Sequence, residues 1–350
     1  MRYLVYLIFL SLILLRYQST IPKFKNGDLI KITSKVYSEP LVYERTQYLK
    51  IQGLKIYLPR YPEIRYGDRL EVTGIVTNSK LRITDYKLLE KNTGFLYKLR
   101  NNLIAFYKSS LPEPYGSLVA GIVIGSKNMP QTFWEKLKLT GTAHVVVASG
   151  TNVTLTISFM IGFLTLFIKR KKAILLTFFG ILLYTFISGM DAPIVRAAIM
   201  GSILLFSQEK GRIVNSWRIL LYSGVIMLLI KPVWITDIGF TLSFVATASL
   251  IIFQKRIDMW LYKIPSFLRE GLSTSLAAQI GVAPIIFVTF GQFNLLSPII
   301  NALVLWTVPY IMILGATAGI VGLTIPLVGR LILFVIYPML WYFEKIISIF

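Results

Sequence analysis

The sequence predicts a polytopic α-helical membrane bundle preceded by an N-terminal, extracytoplasmic all-β domain of OB-like type. Three observations lead there. Mean hydropathy is +0.66, 55% of the 350 residues are hydrophobic, and several apolar runs approach the length of a bilayer crossing. Between Lys23 and about Glu90 the pattern changes to short alternating stretches divided by turn residues, as in half-buried strands. Beyond that region, basic clusters follow every second apolar run, which marks an alternating topology.

Composition also excludes. The formal charge of +21 arises from 37 Lys and Arg against 16 Asp and Glu, so the parts outside the bilayer are strongly basic and suit anionic lipid or nucleic acid. With no cysteine and one histidine, disulfide and thiolate chemistry are ruled out. A zinc site would need gathered carboxylates that the sequence does not offer. No metal and no cofactor are expected.

Residues 3–15 form an apolar run between Arg2 and Arg16. Arg-Tyr-Gln-Ser-Thr follows in place of small residues, so residues 1–22 are expected to be an uncleaved membrane anchor. In the segment 23–92, Leu29 to Val36, Tyr48 to Leu58, Arg69 to Val76 and Leu81 to Leu88 read as strands, with Ser38-Glu39-Pro40 and Tyr61-Pro62-Glu63 between them. Gly67-Asp68 leads into a strand containing Gly74, a pattern met in small OB-like barrels. From Lys23 to Lys108 there are 17 Lys and Arg against 8 Asp and Glu. Lys50, Lys55, Arg60, Arg65, Arg69, Lys80 and Arg82 are the candidate DNA-binding residues of this barrel. A basic surface facing anionic lipid is the competing reading.

Residues 93–111 place Leu96, Leu99, Leu103, Tyr107 and Leu111 at helical spacing with Lys98, Arg100 and Lys108 on other faces, predicting an interfacial amphipathic helix. Residues 112–350 form the polytopic membrane region. The run from Gly116 to Gly125 is too short to span and reads as a half-helix buried against neighbours. Spans are expected at 142–168, 173–189, 192–208, 216–233, 238–254, 273–290, 295–316 and 327–348. The clusters Lys169-Arg170-Lys171-Lys172, Lys210 with Arg212, and Lys255-Arg256 then face the cytoplasm. Loops at 189–191, 235–237 and 291–294 face outward, on the side of the barrel. Trp260, Leu261, Ile264 and Phe267 suggest a second interfacial helix.

The span at 142–168 opens with polar groups: His144, Ser149, Gly150 and Asn152. An intramembrane serine hydrolase needs Ser149 beside His144, but five helical residues rotate by roughly 500 degrees and set the two side chains about 140 degrees apart. Ser149-Gly150 reads better as a helix break whose backbone and Asn152 line a polar cavity. Simple hydrogen bonding to neighbouring helices is the alternative. Pro193 suits a helix start with Asp191 at the cap and Arg196 one turn inside. Arg196 either pairs with Asp191 or Asp237, or faces inward to meet a phosphate. Asp237 and Ser243 open another span, and Gln279 with Pro284 and Asn301 with Pro309 interrupt two more. Together these spans favour a polar conduit over a passive anchor.

These motifs, in this order, resemble the ComEC-type competence proteins, which move transforming DNA as a single strand through the inner membrane. The resemblance rests on Gly141-x-x-His144 with Ser149-Gly150-x-Asn152-Val153, on Gly189 to Ala197, on Pro232 with Asp237-x-Gly239-Phe240-x-Leu242-Ser243-Phe244, and on Ala278-Gln279 to Pro284 followed by Phe290-Gly291 to Asn301. An outer OB-like domain ahead of the bundle belongs to the same arrangement. Thr151 stands where the family more usually has leucine. Many relatives carry a metallo-β-lactamase-like domain after the bundle. This chain has no His-x-His-x-Asp-His motif, so nuclease activity is not carried over. The resemblance implies a DNA-uptake channel in a prokaryotic cell membrane, with His144, Ser149, Gly150, Asn152, Asp191, Arg196, Asp237, Ser243, Gln279 and Asn301 along the path. Candidate partners are single-stranded DNA, the lipid bilayer, a DNA receptor outside, a cytoplasmic motor or strand-binding protein, and a second copy of the chain as a homo-oligomer. The alternatives are the serine hydrolase and a non-transporting scaffold for the barrel.

Overall fold

The computed structural model describes residues 2–20, 24–37, 39–43, 45–77, 80–147, 149–291 and 294–350. Ser38, Ala148, Gln292 and Phe293, invoked above, lie outside the described residues, as do the side chains of Phe267 and Phe290. A helix, α1 (Arg2–Thr20), is followed by strands β1 (Leu29–Lys35), β2 (Leu41–Val42), β3 (Thr46–Ile51), β4 (Leu54–Pro59), β5 (Arg69–Thr77) and β6 (Lys80–Glu90). The remainder is helical.

The strands form one sheet in the order β1-β5-β6-β4-β3-β2. All neighbours pair antiparallel except β4 and β6, which run parallel. Ile32 of β1, at one edge, shares a single buried core with Leu49 of β3, Ile56 of β4, Val72 of β5 and Leu81 of β6. That core runs from strand to strand across the sheet, from β1 to β3. The ladders nevertheless end at two edges, β1 and β2, where the sequence predicts a barrel. A register shift falls between Thr73 and Gly74, and a Cβ at Gly74 would collide with the carbonyl oxygen of Arg82, so only glycine fits this bulge.

The single strand expected from Tyr48 to Leu58 is a hairpin. Gln52 (φ 49°) and Gly53 (φ 87°) are both left-handed, the backbone a two-residue primed turn requires. The apolar alternation changes phase across those two residues, from Leu49 and Ile51 to Leu54, Ile56 and Leu58, which is the trace the turn leaves in the sequence.

The helices are α2 (Phe95–Ser110), α3 (Tyr115–Ile124), α4 (Gln131–Leu139), α5 (Ala143–Val146), α6 (Gly150–Thr165), α7 (Arg170–Ile187), α8 (Ala192–Glu209), α9 (Ser216–Ile230), α10 (Ile238–Trp260), α11 (Ser266–Phe290), α12 (Ser297–Leu305), α13 (Val308–Gly322) and α14 (Pro326–Ile349). Among the described residues, four helical stretches are long and apolar enough to cross a membrane: 143–165, α10, 268–289 and α14. A fifth arises if α12 and α13, bent by 47°, act as one span. This is a polytopic helical membrane protein with an N-terminal β domain. Eight spans are expected from the sequence. The 18 residues of α7 or α8 are of the length of a short crossing, but α7 opens on Arg170-Lys171-Lys172 and α8 carries Arg196, Gln208 and Glu209, so neither is apolar throughout.

The half-helix expected after Pro114 is α3, with every residue from Gly116 to Ile124 buried. The apolar face of α2 enters the same core: Leu103, Phe106 and Tyr107 pack with α3, α13 and α14, and Tyr107 Oη donates to Gly315 O at 2.9 Å. The interfacial helix suggested around Trp260 to Phe267 is absent, because α10 continues through Lys255-Arg256 to Trp260 and a short turn ending at Pro265 starts α11.

Candidate functional site

One carboxylate of the β domain gathers three hydrogen bonds from the bundle. Glu39, just before β2, accepts from Arg100 Nη2 of α2 at 2.8 Å, from Ser126 Oγ at 2.9 Å and from the backbone amide of Lys127 at 2.7 Å. Arg100 is 3% exposed and also donates through Nη1 to Ile124 O at 2.6 Å and to Ile187 O. One guanidinium therefore ties α2, α3, α7 and the β domain, with every charge compensated. Beside it, Lys127 Nζ lies 2.6 Å from Asp191 Oδ2 at the start of α8. Burial works against this ammonium, but Asp191 and Glu39 outweigh it and hold the Lys127 pKa above the ordinary lysine value.

A second link joins Lys50 of β3 to Asp237, 3.9 Å away at the N-cap of α10. The starts of α8 and α10 thus lie at the β-domain end of the bundle. Their other ends, with Lys210 and Lys255-Arg256, and the α6–α7 turn with Lys169-Arg170, lie opposite.

The helix break expected at Ser149-Gly150 is present. The short α5 ends at Val146, Val147 and Ser149 are extended, and α6 begins at Gly150. Ser149 Oγ donates to Asn152 Oδ1 at 3.2 Å, while the buried Asn152 donates through Nδ2 to Ile122 O of α3 at 2.9 Å. His144 points elsewhere: it is exposed, and its Nδ1 donates to Gly141 O at 2.9 Å. No hydrogen bond joins Ser149 to His144 among the described residues.

Arg196 reaches across from α8 to α10. Its Nη1 donates to Ser243 O at 2.7 Å, and a Cβ on Gly150 would stand 2.9 Å from its Nη2. Neither Asp191 nor Asp237 pairs with it, because Asp191 is taken by Lys127 and Asp237 accepts from Phe240 N at 3.1 Å while facing Lys50. Gly150, Asn152, Arg196 and Ser243 thus form one polar group at the helix break. Gln279 and Asn301 form another. Gln279 Nε2 donates to Asn294 O at 3.2 Å, and Asn301 Nδ2 donates to Ser275 Oγ and Ser297 Oγ at 3.0 and 3.2 Å. The turn at Leu139–Gly141 packs on this second group, since Asn294 Nδ2 donates to Leu139 O at 2.8 Å. Among the described residues, the buried Arg196 Nε, Gln279 Oε1 and Asn301 Oδ1 have no protein partner, and water or a polar ligand would satisfy such groups.

On the β domain, the hairpin turns basic residues of separate strands into neighbours. Lys50 pairs in register with Lys55, and Lys55 with Lys80. All three are exposed, and Arg82 lies two residues along β6 on the same face. Next along the hairpin, Tyr48 pairs with Tyr57, ring centroids 5.2 Å apart. This aromatic pair is a functional candidate that sequence reasoning missed. Arg60 lies over the Tyr61 ring at 5.5 Å, and Arg65 is 3.6 Å from Glu63. Arg69, opposite Lys35 and Glu90, stands apart from the lysine row.

Residues 122–350 match the family model described as "Competence protein". The chain belongs to the competence protein family. It is 29% identical to ComE operon protein 3 of Bacillus subtilis (strain 168) over 252 residues, covering 69% of this chain and 31% of that protein. It is 27% identical to an uncharacterized protein of Aquifex aeolicus (strain VF5) over 286 residues, covering 76% of this chain and 65% of the other. The chain thus spans about a third of the first relative and just under two thirds of the second. No solved structure matches it. The family match begins inside α3 and takes in the Glu39-binding loop, the helix break and both polar groups.

Proposed function

We propose that this competence-family protein serves DNA uptake, receiving single-stranded DNA on the outer face of its β domain and passing it inward along the polar groups of the bundle. The observation that carries the reading is the lysine row. Like charges directly opposite on adjacent strands repel, and Lys50, Lys55 and Lys80 occupy such positions across three strands. A polyanion turns that cost into binding by releasing counterions. The Tyr48–Tyr57 pair alongside supplies faces on which bases stack, the combination used by sequence-tolerant single-strand binders. Lys50 lies next to Asp237, so the platform adjoins the helix starts, and the unpaired polar atoms of Arg196, Gln279 and Asn301 continue a polar route into the bundle. The DNA receptor outside and a cytoplasmic motor belong to the same proposal, since a passive path supplies no energy.

The test is single-stranded oligonucleotide binding by the full chain in nanodiscs across a salt series. Lys55→Gln, Lys80→Gln and Arg82→Gln combined should weaken binding and flatten the log–log salt slope by about 2. An unchanged slope together with unchanged uptake of labelled DNA in cells would overturn the reading.

A further inference from the structure

At the end of the bundle away from the β domain, α6, α7 and α8 enclose an open cavity of about 540 Å³, within the size range of small-molecule sites. Its walls are Ile161 of α6, Ile174 of α7 and Leu205 of α8, and its rim carries Lys169, Arg170 and Gln208. The neighbouring Lys171 lies 3.9 Å from Glu209. Lys169 and Arg170 have no side-chain partner among the described residues, and the buried Ile174 and Leu205 with the half-buried Ile161 leave a mainly apolar recess beside them. Two unneutralised cations beside a mainly apolar recess between membrane helices match an amphiphile with an anionic head.

We propose that this cavity binds an acidic phospholipid, its phosphate held by Lys169 and Arg170 and an acyl chain lying against Ile161, Ile174 and Leu205. The apolar walls favour a lipid over a nucleic-acid backbone, which would offer only charge. Gly162 lines the same cavity, and a Cβ placed there meets nothing within 4 Å. A side chain added at this position therefore starts into open space at the cavity wall. The site stands apart from the DNA platform and from both polar groups, so its fate does not depend on the uptake reading.

The experiment uses the full chain in nanodiscs of phosphatidylcholine doped with phosphatidylglycerol, followed by native mass spectrometry of the lipid retained. Lys169→Gln with Arg170→Gln should reduce retained phosphatidylglycerol by about tenfold. Gly162→Leu, which leaves every charge in place, should reduce it by about fivefold, with Leu205→Phe filling the cavity from the opposite wall if that variant fails to fold. Lys171→Gln with Lys172→Gln should change little. Inorganic phosphate should not displace the lipid. Equal loss in all charge variants with none in the cavity-filling ones would reduce the effect to surface attraction and overturn the proposal. Equal retention of phosphatidylcholine, or displacement by a single-stranded oligonucleotide, would overturn it as well.

Discussion

The guanidinium of Arg196 lies so close to Gly150 that a Cβ there would stand 2.9 Å from its Nη2. The helix break and the buried cation are therefore one device: the missing side chain at the first residue of α6 makes room for an arginine from α8 that is anchored on α10. Gly150→Ala should push the guanidinium off the break and lower DNA uptake by about fivefold. Combined with Arg196→Ala it should add no further loss, because the two act through one contact. Labelled-DNA uptake, normalised to membrane expression, measures both; additive losses would separate the two residues.

Glu39 accepts three hydrogen bonds, one of them from the buried Arg100. Glu39→Ala leaves that cation unpaired and should cost about 3 kcal/mol. The reading is thermal unfolding of the full chain in detergent, with limited proteolysis expected to release the β domain early. Glu39→Gln, which keeps an acceptor oxygen, should be milder.

Tyr48 and Tyr57 meet across β3 and β4. Replacing either with alanine should weaken single-strand binding by about 1 kcal/mol or more, roughly fivefold in Kd, without altering the salt slope, because stacking does not release counterions. Fluorescence anisotropy at two salt concentrations separates this effect from that of the lysines.

Ser149 donates to Asn152 while His144 engages Gly141, an arrangement without a base beside the hydroxyl. A fluorophosphonate probe should leave Ser149 unlabelled. Labelling that disappears in His144→Ala would restore the hydrolase reading.

The turn at Gln52-Gly53 shows where reading the chain stops short. In one continuous strand Lys50 and Lys55, five positions apart, would point to opposite faces, as would Tyr48 and Tyr57, nine apart. Only the hairpin register brings each pair to one face, and only the parallel β4–β6 pairing adds Lys80. The basic residues were visible in the sequence; their assembly into a row was not. Arg196 follows the same logic. Its place one turn inside α8 was readable from spacing, but neither Asp191 nor Asp237, the partners expected from the sequence, pairs with it; its partner is a main-chain carbonyl 47 residues away, and spacing within one helix carries no information about that.

The sequence by itself determined what local chemistry determines: a membrane bundle behind a β domain, the short buried helix after Pro114, the break at Ser149-Gly150, and the ordered motifs that mark a competence-family chain. Hydropathy, turn residues and helix-breaking pairs act over a few residues, so they can be read along the chain. Only the tertiary structure decided that Glu39 of the β domain pairs with Arg100, that His144 faces away while Asn152 faces in, and that α6, α7 and α8 leave a cavity beside Lys169 and Arg170. Each of those depends on which helix face meets which neighbour, a choice made by packing between elements far apart in sequence.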